Sequence, residues 1–334
     1  MKSARWAVAV ILAVSLNGNL QAATKSVVTK QAEEAEAMMQ NLDPEQRAAA
    51  AARAKDAMWK ASTTEIGLIQ VGEPGSSGSL RNFCLNKEGN ILACYAPPTG
   101  RGSLRVYSPE GKLQNTLPLD IKPTAVCVAK DGFIYAAGDG RVLKLDSTGK
   151  VLASGASPVA SEPIVLNKET EDMVKEMASQ NRRPYKEELA QMKSSLENRR
   201  SDVTGIAVTD QDVFLATPSA TDFSYRIYRF DRELKSPKLV VEKLRGCCGQ
   251  MDVQTHEGKL WIPHNARHAV ENRDRDGKEL SKFGKAGKVK ADDFGGCCEP
   301  KSLRVLANGD ILAAESGPPT CIKRFSADGK FKEV

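Results

Sequence analysis

The stretch LANGDILAAESGPPTCIKRFSADGK, Leu306 to Lys330, holds an Asn-Gly turn, an apolar run, a polar loop, a second run and a closing Gly-Lys turn. Turn residues set between short apolar runs are the mark of antiparallel hairpins. The first turn has four counterparts upstream: NKEGNIL from Asn86, AKDGFIY from Ala129, TDQDVFL from Thr209 and THEGKLW from Thr255. The second run also has four: LRVYSPEGK from Leu104, RVLKLDSTGK from Arg141, RIYRFDRELK from Arg226 and HAVENRDRDGK from His268. Gly89 and Gly132 lie 43 residues apart, and Gly258 and Gly309 lie 51 apart. Periods of about 40 to 50 residues made of short strands predict the blades of an all-β propeller. A blade cannot bury both of its faces alone, so blades stack around an axis. A β-sandwich of short strands would not require the same turn chemistry five times.

The segment ELSKFGKAGKVKADDFGGCCEPKSLRVLANGDILAAESG, Glu279 to Gly317, has a Phe-Gly ending, a spacer, Phe294, Pro300, a first strand and an Asn-Gly turn. On those residues it resembles an NHL-type propeller repeat. Val203 to Val334 also resembles exported bacterial NHL-type proteins of undefined activity, through Cys-Cys-Gly-Gln-Met-Asp at Cys247 to Asp252 and Cys-Cys-x-Pro at Cys297 to Pro300. The resemblance implies a six-bladed ring with a further blade after Val334. A five-bladed ring completed by TEIGLIQVGEPG, Thr64 to Gly75, is the alternative. Blade four departs from the pattern, with Pro263-His264 where Ala-Asp or Ala-Glu is usual and Arg273 in an aromatic's place. Its third strand is therefore expected to be short or frayed.

The N-terminus orders Lys2 and Arg5, an apolar run from Trp6 to Leu16, and Ala22-Ala23. That is the layout of a secretory leader, here residues 1–23. The run is shorter than the roughly 20 apolar residues of a membrane span. The expected location is periplasmic or secreted, where disulfides persist. Removing Lys2 and Arg5 takes the formal charge from +6 to +4, and basic and acidic residues interleave throughout. No basic stripe exists for a phosphate backbone, so nucleic acid is not an expected partner.

Two parts stand outside the repeat. Residues 24–62 are rich in helix formers, with Asp43, Pro44 and Gln46 as cap, first-turn proline and capping-box partner. They read as a helical arm ahead of a propeller over 63–334. A second helical segment interrupts the propeller at 163–202, with Pro184 in the first turn and Tyr185, Leu189, Met192 and Leu196 on one stripe.

Of the eight cysteines, Cys247-Cys248 and Cys297-Cys298 sit just before two first strands, at equivalent points of neighbouring blades. A bond within a pair is strained, since consecutive Cα atoms are about 3.8 Å apart and disulfides span roughly 4.4 to 6.8 Å. Disulfides between the pairs, a metal or thiol site, and buried thiols are the three readings. Adjacent residues on extended chain point apart, which disfavours four thiolates on one ion. Cys84 and Cys127 occupy matching core positions of two first strands. Cys94 and Cys321 sit near APPTG and GPPTC and could pair only if blades one and five adjoin.

NHL-like propellers include metal-dependent lactone hydrolases (gluconolactonase-like) and amidating lyases that hold a metal in the central channel. Here all three histidines, His256, His264 and His268, fall in blade four, and one blade cannot surround an axial ion. Asn82, Asp252 and Glu299 near first strands form a weak set of polar channel-rim candidates. No Ser-His-Asp arrangement or phosphate loop is present. No catalytic residue and no cofactor is assigned. The reading is a non-catalytic exported module that presents a face or its helical insertion to an unknown protein or cell-envelope ligand. The alternatives are a metal-dependent propeller hydrolase or lyase, and a cysteine-based metal or redox site.

Overall fold

Each expected turn closes a hairpin, and four successive antiparallel strands make each blade. The computed structural model describes residues 43–45, 67–72, 78–246, 250–287, 290–296, 298–316 and 320–334. Blade one is β1 to β4, at Ser79–Leu85, Ile91–Ala96, Ser103–Tyr107 and Leu113–Pro118. Blade two is β5 to β8, at Ala125–Val128, Ile134–Gly138, Arg141–Leu145 and Val151–Ala156. Blade three is β9 to β12, at Gly205–Val208, Asp212–Pro218, Ser224–Asp231 and Lys238–Arg245. Blade four is β13 to β16, at Gln254–His256, Lys259–His264, Ala269–Arg273 and Glu279–Phe283. Blade five is β17 to β20, at Ser302–Val305, Ile311–Glu315, Cys321–Phe325 and Phe331–Glu333. Every sheet pairs its strands in chain order. The described residues form an all-β, five-bladed propeller with a two-helix insertion.

The first-strand turns work by backbone geometry. Gly89 lies at φ 83° and donates to Asn86 O at 3.0 Å, and Gly309 lies at φ 82° and donates to Leu306 O at 2.9 Å. That left-handed region is open to glycine at little cost. Blade three has no glycine there. The Thr209 hydroxyl instead accepts from Asp212 N at 2.9 Å and closes the same turn.

Blades meet through apolar cores. Leu92, Cys94 and Leu104 of blade one pack on Val126, Ile134 and Leu143 of blade two. Val142 and Tyr135 of blade two pack on Val213, Leu215 and Phe230 of blade three. Phe214 and Ile227 of blade three pack on Leu260 and Ile262 of blade four. Trp261 and Val270 of blade four pack on Leu303, Ile311 and Phe325 of blade five. A fully buried side chain of this size contributes about 1.5–3 kcal/mol, so these four seams carry the fold.

Among the described residues no apolar core joins blade five to blade one. The other face of blade one, with Ile91, Ala93, Tyr95 and Tyr107, is covered by Ile69 and Val71. Arg105 donates to Val71 O at 2.6 Å and holds that segment down. The stretch expected to add a strand to blade five thus lies, over 67–72, on blade one, and blade five has its own fourth strand. The strands β2, β6, β10 and β14 are buried almost throughout, whereas β18 alternates, with Leu312 and Ala314 partly exposed.

Two further expectations change. The third strand of blade four is not frayed: β15 pairs over all of its length with β14 and from Val270 to Arg273 with β16. Arg273 replaces an aromatic by hydrogen-bonding Glu271 through Nε and Nη2, at 2.9 and 2.7 Å, and Gly277 O through Nη1. Cys94 lies in β2 and faces blade two, so it points away from blade five and does not meet Cys321.

The insertion is an antiparallel pair, α1 (Lys168–Asn181) and α2 (Tyr185–Arg199), between β8 and β9. Asn167 caps α1 by accepting from Thr170 N at 2.8 Å. Leu166, Val174, Met192 and Leu196 form the shared core. The stripe differs from the expected one at its start. Tyr185 is exposed, and Glu188 is buried because its carboxylate accepts from Asn181 Nδ2 at 2.9 Å. Of the expected N-terminal arm, Asp43, Pro44 and Glu45 are described, the last two helical, and the rest lies outside the described residues.

Candidate functional site at the channel mouth

In an antiparallel blade the start of the first strand and the end of the second share one edge, as Ser79 opposite Ala96 shows. Connections between blades therefore emerge on the same face as the loops between second and third strands. That face holds the helical pair and the mouth of the central channel. The opposite face holds the tight turns.

The mouth is a cavity of about 490 Å3 to which all five blades contribute. Its rim is one repeat position, eight residues before the first-strand turn: Arg81, Thr124, Thr204, Gln250 and Lys301. In blades two and three the threonine joins neighbours. Thr124 Oγ1 donates to Val203 O and Thr204 Oγ1 to Met251 O, both at 2.7 Å. In blades one and five the same position carries Arg81 and Lys301, whose side chains have no hydrogen-bond or ion-pair partner among the described residues.

Of the channel-rim candidates, Asn82 and Asp252 line the mouth. Asp252 is buried and committed to structure. Its Oδ1 accepts from Val253 N at 2.8 Å and Gln254 Nε2 at 3.1 Å. Its Oδ2 accepts from Leu303 N and Arg304 Nη1, each at 3.1 Å, which ties blade four to blade five. Arg304 then reaches across to blade one, donating to Phe83 O at 2.7 Å and lying over the Phe83 ring. Glu299 does not line the cavity; it is buried, and Oε1 accepts from Ser316 N and Oγ at 3.0 and 2.9 Å. Asp202, which sequence reading passed over, is at the mouth and half-buried. Burial raises its carboxyl above the ordinary range, against the opposing pull of Arg81 and Arg199.

Cys84 and Cys127 are thiols five residues before their turns, with Arg304 at the matching place in blade five. Burial pushes the Cys127 thiol up to about 11, and those of Cys84 and Cys94 also upward. Thiolates are the nucleophiles and metal ligands, so these three are structural groups at neutral pH.

Cys247, Cys248 and Cys297 lie outside the described residues, and Cys298 is buried. The chain leading to each pair is anchored in an equivalent way. His264 Nε2 accepts from Arg245 N at 2.9 Å, so that nitrogen carries no proton and Nδ1–H donates to Glu271 Oε1 at 2.6 Å. Burial opposes the charge on Glu271, yet hydrogen bonds from His264 and Arg273 hold its carboxyl down at about 2. One blade on, Glu315 Oε2 accepts from Gly295 N at 2.8 Å, and Glu315 is paired with the buried Lys323. His264 and Glu315 are equivalent positions, as are Glu271 and Lys323. Each acceptor fixes the amide two residues before a Cys-Cys pair. The loop of blade four touches both segments, through Asn265 Nδ2 on Gln250 O at 3.1 Å and His268 Nε2 on Gly296 O at 3.0 Å. Among the described residues no group of three His, Cys, Asp or Glu is arranged to hold a metal ion.

No protein-family model matches the sequence, and no curated protein matches it. Among solved structures the chain is similar to a protein of unknown function from Bacteroides caccae, at 12% identity and TM-score 0.46, covering 78% of this chain and 83% of that one. It is also similar to a chain of a nidogen/laminin complex, at 8% identity and TM-score 0.48, covering 76% and 78%. The WD40 propeller domain of Doa1 follows at 10% and 0.42, covering 77% and 68%. These likenesses concern the fold alone.

Proposed function

We propose that this chain is an exported, non-catalytic binding module of NHL-like type, and that its ligand sits on the face carrying the channel mouth. The observation that supports this is the division of labour at the rim. Thr124, Thr204, Asp252 and Arg304 are spent on joining blades, whereas the side chains of Arg81, Asn82, Gln250, Lys301 and Ser302 have no hydrogen-bond partner among the described residues. Polar groups converging on a concave surface and left over from folding are what a binding site requires. Export rests on the order of Lys2, Arg5, Trp6 to Leu16 and Ala22-Ala23. Disulfides between the two Cys-Cys segments belong to the same proposal, since they persist in an exported protein, although Cys298 stands as a free thiol in the structure.

A thermal-shift screen of small metabolites and peptides, followed by chemical-shift mapping, tests the reading. Perturbations are expected at Arg81, Gln250 and Lys301. Perturbations confined to the turn face around Gly89 and Gly309, or none, would overturn it. Intact-mass analysis of the exported protein should find a chain beginning near Ala23, and a chain still starting at Met1 would remove the export claim.

A further inference from the structure

We infer that the channel mouth takes a small organic monoanion, a carboxylate flanked by hydroxyl groups, with the carboxylate between Arg81 and Lys301. The inference rests on the binding reading above and adds the ligand's chemistry. Charge accounting at the rim leads to it. Arg304 is answered by Asp252 at 3.1 Å. That leaves Arg81 and Lys301 against a single carboxyl, Asp202, so the cavity holds one surplus positive charge. A ligand carrying one negative charge balances it, and a dianion or a neutral ligand does not.

The remaining groups select the rest of the molecule. The carboxylate of Asp202, whose backbone N–H donates to Arg199 O at 2.8 Å, has no hydrogen-bond partner among the described residues and is an acceptor for a ligand hydroxyl. Asn82 and Gln250 carry amides that both donate and accept. The hydroxyls of Thr124 and Thr204 already donate to backbone carbonyls, which leaves them only acceptor capacity. A cavity of about 490 Å3 suits a molecule the size of a monosaccharide acid, since ligand pockets run from roughly 300 to 1,000 Å3. A long polyanion would need cations spaced along a groove, and here they occupy two positions of one ring.

The test is calorimetric titration with D-glucuronate, D-glucose and inorganic phosphate, each mapped by chemical shifts. Glucuronate should saturate at the mouth and bind at least about tenfold more tightly than glucose, which lacks the carboxylate, or than phosphate, which lacks the ring hydroxyls. Hydrogen bonds to charged groups imply a loss of about tenfold to a hundredfold in R81Q/K301Q. R81K, which keeps the charge, should retain binding within about threefold. Both variants should unfold at the parent's denaturant midpoint, because neither side chain joins blades. Glucuronate binding no tighter than glucose, or undiminished in R81Q/K301Q, would overturn the inference. Equal binding of glucose and glucuronate at the mouth would overturn the anion while leaving the binding module standing. An absence of mouth perturbation by all three probes would overturn the anion, and the broader ligand screen would then decide the module.

Discussion

The seam between blades two and three and the seam between blades five and one occupy equivalent places in the ring and are built in opposite ways. At the first, Tyr135, Val142, Val213, Leu215 and Phe230 form a continuous apolar core, and Thr124 ties the rim to Val203 O. At the second, among the described residues, one guanidinium spans the gap from blade five to Phe83, and Leu312 and Ala314 stay partly exposed. Residues at the sealed seam are consumed by stability. Those at the polar seam are left for a ligand, and Arg81 and Lys301 flank it. Where a repeat fold stops burying its faces is where function can be placed.

The largest effect that would break this comparison lies in the sealed core. Leu215→Ala removes a fully buried side chain and should cost about 3 kcal/mol in urea unfolding, within the usual range of 2–5 for such truncations. Leu312→Ala, at the polar seam, should cost less than about 1 kcal/mol. Equal losses would mean that blade five is sealed against blade one after all.

A second test uses the buried ion group of blade four. Glu271 titrates at about 2 when folded against an ordinary 4.5. Its contribution is therefore complete above 4.5 and is lost as pH falls toward 2. Glu271→Gln should lower stability at neutral pH and flatten the acid limb between those values, as followed by circular dichroism. An unchanged acid limb would show that the carboxyl is not held ionised there. Third and smallest, Arg304→Ala should cost about 1–2 kcal/mol, because it removes the bridge to Phe83 and one of four donors to Asp252. A loss comparable to that of Leu215→Ala would make the polar seam a structural keystone.

Much of the fold is legible in the sequence because hairpin turns are local. Asn-Gly at 308–309 and Asp-Gly at 131–132 declare their strands without reference to the rest of the chain. The helical insertion is legible for the same reason, through its periodicity, although Tyr185 and Glu188 exchange the sides that polarity alone would give them. The buried ions are not legible. Glu271 and Lys323 read as surface residues until the registers Ile262 to Glu271 and Ala313 to Lys323 show them to be equivalent inward positions. The rim was within reach, since aligning the five repeats on their turns brings Arg81, Thr124, Thr204, Gln250 and Lys301 into one column. What the alignment lacks is which of these side chains the neighbouring blade uses, and only tertiary contact supplies that.

The most direct measurement of the account is native-state hydrogen exchange resolved by blade. Exchange reports the free energy of the smallest opening that exposes each amide. If four apolar cores and one polar seam describe the ring, the amides of β10 and β14 should exchange only through global unfolding, while those of β18 and β19 exchange through a cheaper opening of blade five. Uniform protection across all five second strands would contradict it.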